Sequence, residues 1–378
     1  MKFVLAPDSF KESMTAKEVC QAMARGIRKV FPESEIVEVP MADGGEGTVD
    51  ALVDANQGEK RLATVLGPDG RKRVKAVYGL INHGKTAVIE MAQASGLELL
   101  ASEERDPRIT TTYGTGQVIK DALDHGAEKL IIGLGGSATN DGGAGMAQAL
   151  GVQLLDQAGQ ELPFGGMALA KLAKIDIRGL DPRLQKVQVV LASDVTNPLT
   201  GENGASRVFG RQKGATPAMI AELDASLVHY AAMIRQFLKK DVENLPGAGA
   251  AGGLGAGLMA FTDCTTQPGA KIVIAENHLE QKLAGADFVF TGEGGTDFQT
   301  KFGKTPYAVA QVARKHGIPV YTVAGSLGEG IESLYHDGFS AIFGILDTAC
   351  FLPEALKHGP ANVERTCENI ARVIKSVK

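Results

Sequence analysis

A glycine-rich segment at positions 133–145 carries residues that are well suited to chemistry. Six of its thirteen residues are glycine, and it follows an apolar stretch that we predict to be a strand. Glycine loops at the start of a helix expose backbone N–H groups that bind anions. Ser137 and Thr139 add hydroxyl donors, while the oxygens of Asn140 and Asp141 suit Mg²⁺ or a substrate hydroxyl. The segment therefore indicates a phosphate- or metal-binding loop.

Acidic residues also follow other predicted strands, in each case beside glycine, hydroxyl or amide groups. The residues concerned are Asp8, Asp43, Asp194 and Glu293. Ligands of parallel α/β sheets bind at the carboxyl ends of the strands, so these loops share one predicted location. A single aspartate in such a place is equally well explained as a turn or helix-cap residue. Several together favour a site that binds metal or phosphate.

The loop after the predicted strand 287–290 contains further candidates. Glu293 and Asp297 are candidate metal or hydroxyl ligands, and Lys304 is a candidate phosphate ligand. Lys304 lies in a sequence that ends like a Walker A motif, but Phe298 occupies the position of that motif's first glycine. An ATP site in this chain is therefore of another kind.

A second interpretation of the segment 133–145 stays open. Its first part, 133–138, fits the dinucleotide fingerprint G-x-G-x-x-G/A. Asp156 lies about 20 residues further on, where a ribose-binding acid would stand. This alternative predicts an NAD(P)-dependent dehydrogenase of a small hydroxy acid. Three glycines later in the segment disfavour it, because they would interrupt the helix that must begin there.

Alternating strands and helices at both ends of the chain must position these loops. Apolar runs predict strands at 3–6, 35–39, 287–290, 320–324 and 341–345. Helical spacing predicts helices at 16–29, 46–55, 305–315 and 363–375. Such alternation is typical of a parallel sheet with helices on both faces. We therefore expect a doubly wound, Rossmann- or flavodoxin-like domain formed by residues 1–60 and 283–378.

The residues between these two segments predict an inserted domain at 61–282. Apolar runs joined by turn sequences predict an antiparallel meander at 61–66, 73–78 and 87–91. Thr216 and Pro217 predict the start of a long helix, whose apolar stripe we assign to core packing. Further apolar strands precede the glycine-rich segment and Asp194. The inserted domain is therefore expected to be of mixed α/β type.

Composition excludes several classes of function. The chain has 378 residues, a net charge of −5 and a pI near 5.9, which argue against a nucleic-acid partner. No apolar run reaches the length of a membrane span, and we expect no signal peptide. The four cysteines lie far apart and favour free thiols in the reducing cytoplasm. The seven isolated histidines and the lack of a G-x-S-x-G motif support neither a zinc site nor a serine hydrolase.

The motifs, considered as a set, resemble those of the class I glycerate kinase family, and the resemblance runs along the whole chain. The segments that carry it are 6–11, 42–48, 110–116, 135–143, 194–199, 212–217 and 247–253. It implies phosphorylation of D-glycerate by ATP with Mg²⁺, with 2-phosphoglycerate as the favoured product and 3-phosphoglycerate as the alternative. It also implies a two-domain cytoplasmic enzyme with its active site in the cleft, acting on small molecules without a nucleic-acid or membrane partner. A homodimer is left open.

One loop departs from the family pattern. At two successive positions the family usually has Arg or Gln followed by an apolar residue, whereas this chain has Gly295 and Thr296. Asp297, Gln299 and Thr300 are retained. We expect the departure to tune a phosphate or carboxylate contact.

The resemblance, joined to the demands of phosphoryl transfer, assigns roles to the candidates. The expected catalytic residues are Lys11, Asp43 and Asp194. One of the two aspartates is expected to orient the glycerate hydroxyl or to take its proton. Mg²⁺ is expected at Asp8, Asp194, Glu293 and Asp297. ATP and phosphate contacts are expected at Gly135, Gly136, Ser137, Thr139, Asn140, Gly142, Gly143 and Lys304. Substrate contacts are expected at Ser9, Asp141, Asn197, Arg207 and Lys213. The acidic residues can be exchanged among these roles.

Overall fold

The computed structural model describes residues 1–377 and has the α/β class that the sequence predicts. Its strands, numbered in chain order, are β1 Lys2–Leu5, β2 Glu35–Glu38, β3 Glu59–Leu66, β4 Arg73–Ile81, β5 Thr86–Glu90, β6 Lys129–Gly133, β7 Gln153–Leu155, β8 Lys174–Asp176, β9 Gln188–Ala192, β10 Cys264–Gln267, β11 Phe288–Thr296, β12 Val320–Leu327 and β13 Ala341–Gly344. Its α-helices are α1 Ala16–Arg28, α2 Thr48–Ala55, α3 Ala92–Ser95, α4 Tyr113–Asp124, α5 Ala144–Ala149, α6 Ala205–Phe209, α7 Pro217–Leu238, α8 Ala250–Phe261, α9 Gly269–Glu276, α10 Leu279–Lys282, α11 Thr305–Lys315 and α12 Leu352–Ser376. No helix in residues 1–377 combines the length and the apolar character needed to cross a membrane.

The chain divides into two compact units. The terminal unit consists of Met1–Gln57 with Pro268–Lys378, and the inserted unit consists of Gly58–Gln267. Helices α9 and α10, which the sequence analysis placed in the inserted domain, belong to the terminal unit. Gly269 shows the physical reason, because a Cβ added there would lie 1.9 Å from the carbonyl oxygen of Asp43. The start of α9 is therefore packed directly on the loop after β2.

The terminal unit is built on one parallel sheet with the strand order β13-β12-β11-β1-β2. Counted within this unit, the order is the 2-1-3-4-5 arrangement of flavodoxin-like, doubly wound folds. Helices α1 and α12 pack against each other, and α9 packs against both α2 and α11. The doubly wound prediction is thus confirmed. The order reverses at β1, which has β2 on one side and β11 on the other.

Helices α1 and α12 show what local sequence does and does not predict. Thr15 caps α1, since its N–H donates to Glu18 at 2.8 Å and its hydroxyl accepts from the Glu18 N–H at 3.3 Å. Helix α12 begins eleven residues before the predicted start at 363. The prediction was wrong because Pro360 lies inside the helix, where a proline usually marks an end. Similarly, α2 begins at Thr48 and not at the predicted 46.

The inserted unit contains a six-stranded mixed sheet with the order β10-β9-β6-β5-β4-β3. Strands β3, β4 and β5 form the predicted antiparallel meander, and β5, β6, β9 and β10 run parallel. The stripe predicted for α7 is confirmed as core, since its central members Leu223, Leu227, Ala231 and Ile234 are buried. The carboxyl ends of β6 and β9 carry the glycine-rich segment and Asp194, respectively.

Candidate active site

The carboxyl ends of β1, β2 and β11 bring three loops of the terminal unit together. Parallel pairing sets Leu5 of β1 beside Phe290 of β11 and Glu38 of β2. Beyond the strands, the N–H of Asp8 donates to the carbonyl oxygen of Gly292 at 2.9 Å. Because the strand order reverses at β1, this is the edge at which doubly wound sheets bind ligands.

Asp8 has a strongly perturbed carboxyl group at this edge. Burial, followed by the negative charge of Asp43 and to a lesser degree that of Glu293, raises the pKa of Asp8 to about 7. Two hydrogen bonds counteract part of this increase: the Thr305 hydroxyl donates to Oδ2 and the Ser9 N–H donates to Oδ1 at 2.6 Å. A carboxyl group with a pKa near neutral can hold a proton or bind a cation, and such groups cluster in functional sites.

Ser9, Lys11 and Asp43 surround this position on the loops after β1 and β2. The hydroxyl of Ser9 donates to Oδ1 of Asp8 at 3.3 Å. Asp43 is half-buried and accepts the N–H of Gly45 at 3.0 Å, which holds its loop in a tight turn. Lys11 lies on the surface of the β1 loop. The structure therefore brings Asp8, Ser9 and Asp43 to one edge, with Lys11 on the same loop.

Glu293 and Lys304 form an ion pair beyond β11. The Lys304 Nζ lies 3.1 Å from Oε2 of Glu293 and also donates to the carbonyl oxygen of Gly295 at 2.9 Å. Burial raises the pKa of Glu293, and hydrogen bonds from Thr300 and Lys304 lower it in part. Because its charge reaches Asp8, Glu293 belongs to the same edge as Asp8 and Asp43.

Asp297 is used differently from the role that the sequence suggested. Its Oδ1 accepts the N–H of Gln299 at 2.7 Å and caps the short 3₁₀ turn Phe298–Lys301. The hydroxyl of Thr300 in turn accepts the N–H of Asp297 at 3.3 Å. The structure thus gives Asp297 a turn-forming role at the end of β11.

In the inserted unit, Asp141 is the centre of the glycine-rich loop. Its buried carboxylate accepts the N–H of Thr112 at 2.8 Å and the Thr112 hydroxyl at 2.9 Å. It also accepts the N–H groups of Gly143 at 3.1 Å and Gly145 at 3.2 Å. Burial raises the pKa of Asp141, and these four hydrogen bonds lower it in part. The loop is therefore folded around a carboxylate that is not accessible to substrate in this structure.

The same hydrogen bonds limit which loop N–H groups can meet a phosphate. The N–H of Gly142 donates to the carbonyl oxygen of Gly252 at 3.0 Å, and that of Gly143 donates to Asp141. Two of the predicted phosphate contacts are therefore already bonded. Within residues 1–377, the N–H groups at 135–137 donate to no other group, and residues 135 and 136 are exposed. The outer part of the loop is the part that could bind an anion.

Lys213 lies in the core and not on a substrate-binding surface. It is 1% exposed, and its ammonium donates to the carbonyl oxygen of Thr139 at 2.7 Å. Burial lowers the pKa of Lys213 to about 7, although the nearby charge of Asp141 raises it in part. The predicted contact of Lys213 with a substrate carboxylate is therefore not available in this conformation. Its position instead fixes the strand-to-helix loop from behind.

The side chain of Asn140, which belongs to the glycine-rich loop, is also buried. Its Nδ2 donates to the hydroxyl of Ser206 at 2.9 Å. Within the inserted unit, all of whose residues the structure describes, three buried oxygens lack a hydrogen-bond partner: Thr139 Oγ1, Asn140 Oδ1 and the Tyr230 hydroxyl. Thr139 and Asn140, predicted as ATP contacts, are thus core residues with spare hydrogen-bonding capacity.

Asp194, Asn197 and Arg207 occupy the region after β9. Asp194 is exposed and is the second residue after the end of β9. Asn197 donates from Nδ2 to the carbonyl oxygen of Asn203 at 2.8 Å. Arg207 is exposed on α6, with its Nε 3.8 Å from Oδ2 of Asp224. Of the predicted residues of this region, Asp194 and Arg207 are therefore accessible to solvent.

Two threonines that were not predicted from the sequence complete these clusters. Thr305, the first residue of α11, donates to Asp8, and Thr112, immediately before α4, donates to Asp141. Thr305 stands directly before Pro306, which is a recognisable sequence signal for the start of a helix. Their partners could not be found in the same way, since Thr305 is 297 positions from Asp8 along the chain.

The structure does not have the two features that a dinucleotide-binding site at the glycine-rich loop requires, a helix that begins directly after the fingerprint and an acid at the end of the adjacent parallel strand. Helix α5 has six residues and follows Gly142 and Gly143, whose φ angles are 63° and 77°. Asp156 follows β7, which pairs antiparallel with β8 outside the main sheet. Its carboxylate accepts the N–H groups of Ala158 and Gln160 at 2.8 and 2.9 Å. A ribose-binding acid instead ends the parallel strand beside the glycine loop.

Comparisons with known proteins agree on one family. The model of the glycerate kinase family matches residues 3–375. A glycerate kinase of Halalkalibacterium halodurans is 52% identical over 98% of this chain and 97% of its own length. A glycerate 2-kinase of Escherichia coli is 52% identical over 99% of this chain and 98% of its own length. The crystal structure of a glycerate kinase 2 from Salmonella typhimurium LT2 is 49% identical, with a TM-score of 0.91 over 100% of this chain and 98% of that one.

Proposed function

Because this chain belongs to the glycerate kinase family, and is therefore a phosphotransferase that acts on an alcohol group, we propose that it transfers the γ-phosphoryl group of ATP to D-glycerate. The observation that carries this proposal is the perturbed Asp8 carboxyl group, at the edge where the strand order of the terminal unit reverses. Phosphoryl transfer requires groups that neutralise charge and position phosphates, together with one that handles the hydroxyl proton. Asp8, Asp43 and Lys304 supply carboxylates and a cation of these kinds at that edge.

The residues of this edge fit a magnesium ion that is held mainly by the nucleotide. In residues 1–377 no group of three or more His, Cys, Asp or Glu side chains is arranged as a metal site. Mg²⁺ in nucleotide sites usually needs only one or two carboxylates, since phosphate oxygens and water complete its shell. Asp8 is the carboxylate that we propose for this purpose, because a cation would offset its repulsion from Asp43. When bound, the ion would neutralise charge on the phosphates.

Further roles are proposed for residues that are accessible in each unit. In the inserted unit, the free N–H groups at 135–137 are proposed to bind phosphate oxygens. Arg207 is the proposed partner of the glycerate carboxylate, since the alternative cation Lys213 is buried. Asp194 or Asp43 is proposed to orient the glycerate hydroxyl and take its proton. Lys11 and Lys304 are proposed to contact phosphate in the terminal unit.

The C2 hydroxyl is the proposed acceptor, with 2-phosphoglycerate as the product. This choice is supported by the relative of Escherichia coli, which is a glycerate 2-kinase and is 52% identical. A small rotation of the substrate would present the C3 hydroxyl instead, so identification of the product by NMR decides between the two. A product phosphorylated at C3 would contradict the proposed substrate orientation while leaving the kinase function intact.

A cytoplasmic location is proposed from the cysteines. Cys20, Cys264, Cys350 and Cys367 are free thiols in the structure. Unpaired cysteines are typical of proteins in reducing compartments. Detection of the protein by antibody in separated cell fractions would test this location.

One assay tests the proposed function. ADP release from Mg·ATP is measured with and without D-glycerate, and L-glycerate and glycolate serve as matched controls. We expect strong stimulation by D-glycerate and little by the other two. Absence of glycerate-stimulated ADP release would refute the proposal. ADP release that does not depend on any hydroxy acid would indicate a nucleotide hydrolase instead.

A further inference from the structure

Glu293 lies at the end of β11 inside a shell of hydrogen-bond donors. Its Oε1 accepts the hydroxyls of Thr296 at 3.0 Å and Thr300 at 2.7 Å. Its Oε2 lies 3.1 Å from the ammonium of Lys304. The side chain of Glu293 is 10% exposed, whereas that of Lys304 is 36% exposed. The carboxylate is therefore committed to protein donors, and the ammonium retains contact with solvent.

The three donors come from one loop that turns around Glu293. Thr296 ends β11, Thr300 lies in the following 3₁₀ turn, and Lys304 immediately precedes α11. Both threonines are buried, with exposed fractions of 1% and 0%. Lys304 is fixed a second time by the carbonyl oxygen of Gly295, at 2.9 Å. An ammonium has three protons, so one N–H of Lys304 remains for a ligand after these two contacts.

We infer that Glu293 is a positioning residue that holds the Lys304 ammonium for a phosphate of the nucleotide, and not a ligand of the metal. This inference rests on the proposed kinase function. A free lysine side chain samples many rotamers, and fixing it before the substrate arrives reduces the entropy lost in the transition state. The pair of contacts to Glu293 and Gly295 performs this fixing.

The charge arrangement argues against a metal at the same carboxylate. A divalent cation bound to Oε2 would lie within a few ångströms of the Lys304 ammonium, and the two positive charges would repel each other. Oε1 already accepts two hydroxyls, whose protons would also point toward the cation. The groups that act most strongly on Asp8 are different: the Thr305 hydroxyl and the Ser9 N–H donate to its carboxylate, and the largest effect of a charge on its pKa comes from Asp43.

Thr296 gives this chain a specific addition to the network. It is one of the two residues by which the loop departs from the family pattern described above. An apolar side chain at this position could not donate to Glu293, so the hydroxyl of Thr296 adds a constraint that the usual residue lacks. Removing this hydroxyl alone is therefore a mild test of the positioning role.

A double-mutant cycle tests the inference. Glu293→Gln keeps the size of the side chain and removes its charge, Lys304→Met removes the ammonium, and the third variant carries both changes. Glu332→Gln, an exposed glutamate of the same unit, is the matched control. Measured quantities are kcat, KM for ATP, the Mg²⁺ concentration for half-maximal activity, and the Kd for ADP in EDTA by calorimetry. Thermal unfolding checks that each variant is folded.

The positioning role predicts strong non-additivity. We expect each single change to lower kcat/KM for ATP about tenfold or more, while Glu293→Gln costs no more than about twofold when Lys304 is already methionine. Lys304→Met should also weaken ADP binding in EDTA about fivefold or more. The Mg²⁺ requirement of Glu293→Gln should stay within about twofold of the wild type, as for Glu332→Gln.

Two results would overturn the inference. One is an effect of Glu293→Gln that persists undiminished in the Lys304→Met background. The other is a Mg²⁺ half-saturation that rises about tenfold or more in Glu293→Gln, which would make Glu293 a metal ligand. If Glu293→Gln does not fold, Thr296→Val decides. A loss of kcat/KM of about two- to fivefold, which corresponds to one hydrogen bond, supports the positioning role. No loss of kcat/KM overturns it.

The kinase proposal itself fails in a distinguishable way. In that case the wild-type protein would show neither glycerate-stimulated ADP release nor ADP binding in EDTA. A wild type that is active, combined with additive variants, would refute the positioning role alone.

Discussion

Thr112 donates both its backbone N–H and its hydroxyl to the carboxylate of Asp141, at 2.8 and 2.9 Å. The same hydroxyl oxygen accepts the N–H of Met146 at 2.9 Å. The first turns of α4 and α5 are therefore joined by a buried carboxylate and one threonine. This connection holds the glycine-rich loop in a shape in which its outer N–H groups stay unbonded, while its inner ones are satisfied within the protein.

The first prediction concerns the charge of Asp141. Asp141→Asn keeps the shape of the side chain but turns one accepting oxygen into an NH₂ group that faces N–H donors. We expect the free energy of unfolding to fall by about 2–3 kcal/mol, the size of charge-assisted hydrogen bonds lost in a buried site. Urea unfolding measures it. The control is Asp156→Asn in an exposed turn, for which a loss below about 1 kcal/mol is expected. Equal losses in the two variants would contradict the prediction.

The second prediction concerns Lys213 and pH. Its pKa is about 7 in the folded protein, below the ordinary 10.5, so between these values the unfolded chain binds more protons. Stability must therefore rise with pH in this window, and the cost of burying the charge is fully present below about pH 7. At about 1.4 kcal/mol per pH unit, the wild type should gain about 2–3 kcal/mol between pH 7 and 9 relative to Lys213→Met. Parallel curves of unfolding free energy against pH for the two proteins would refute this.

Much of the fold could be predicted, because it depends on local patterns. The alternation of apolar strands and amphipathic helices predicted the parallel sheet of the terminal unit, and turn sequences predicted the meander of the inserted unit. Acidic residues after strands predicted one shared location for four carboxylates. Asp8, Asp43 and Glu293 lie together at one edge of the terminal unit, whereas Asp194 belongs to the inserted unit. The errors also came from local patterns. The start of α12 was predicted too late, because Pro360 lies inside the helix and a proline usually marks a helix end.

The functions of single side chains could not be predicted, because they depend on contacts between distant positions. Lys213 has the same sequence context whether it is exposed or buried, and its partner, the carbonyl oxygen of Thr139, lies 74 positions away. Lys304 resembled a phosphate ligand, but nothing local indicated that Glu293 and Gly295 hold it. A sequence pattern marks where chemistry is concentrated, and burial then decides which groups can reach a ligand.

The third prediction concerns Asp8. Asp8→Asn removes a charge that burial and Asp43 destabilise, so the unfolding midpoint should stay the same or rise. Activity should move in the opposite direction: glycerate-dependent ADP release should fall about 100-fold or more, because the carboxylate proposed for the nucleotide's cation is lost. Differential scanning fluorimetry and the ADP assay measure the two effects on one preparation. A variant that is both active and more stable would exclude Asp8 from the site.

The last prediction concerns Asp194, the exposed aspartate after β9. Because its side chain is exposed, Asp194→Asn should leave the protein folded, and the unfolding midpoint of the variant checks that a loss of activity can be attributed to the site. If Asp194 takes the hydroxyl proton, kcat should fall about 10²–10⁴-fold while KM for ATP changes little. Asp263→Asn, an equally conservative change at an exposed position of the same unit, should have no effect. Near-normal turnover of Asp194→Asn would refute its role as base or metal ligand and leave Asp43 as the remaining candidate. Asp43→Asn in the same assay would then separate the two aspartates, because only one of them can be the proton acceptor for a single hydroxyl.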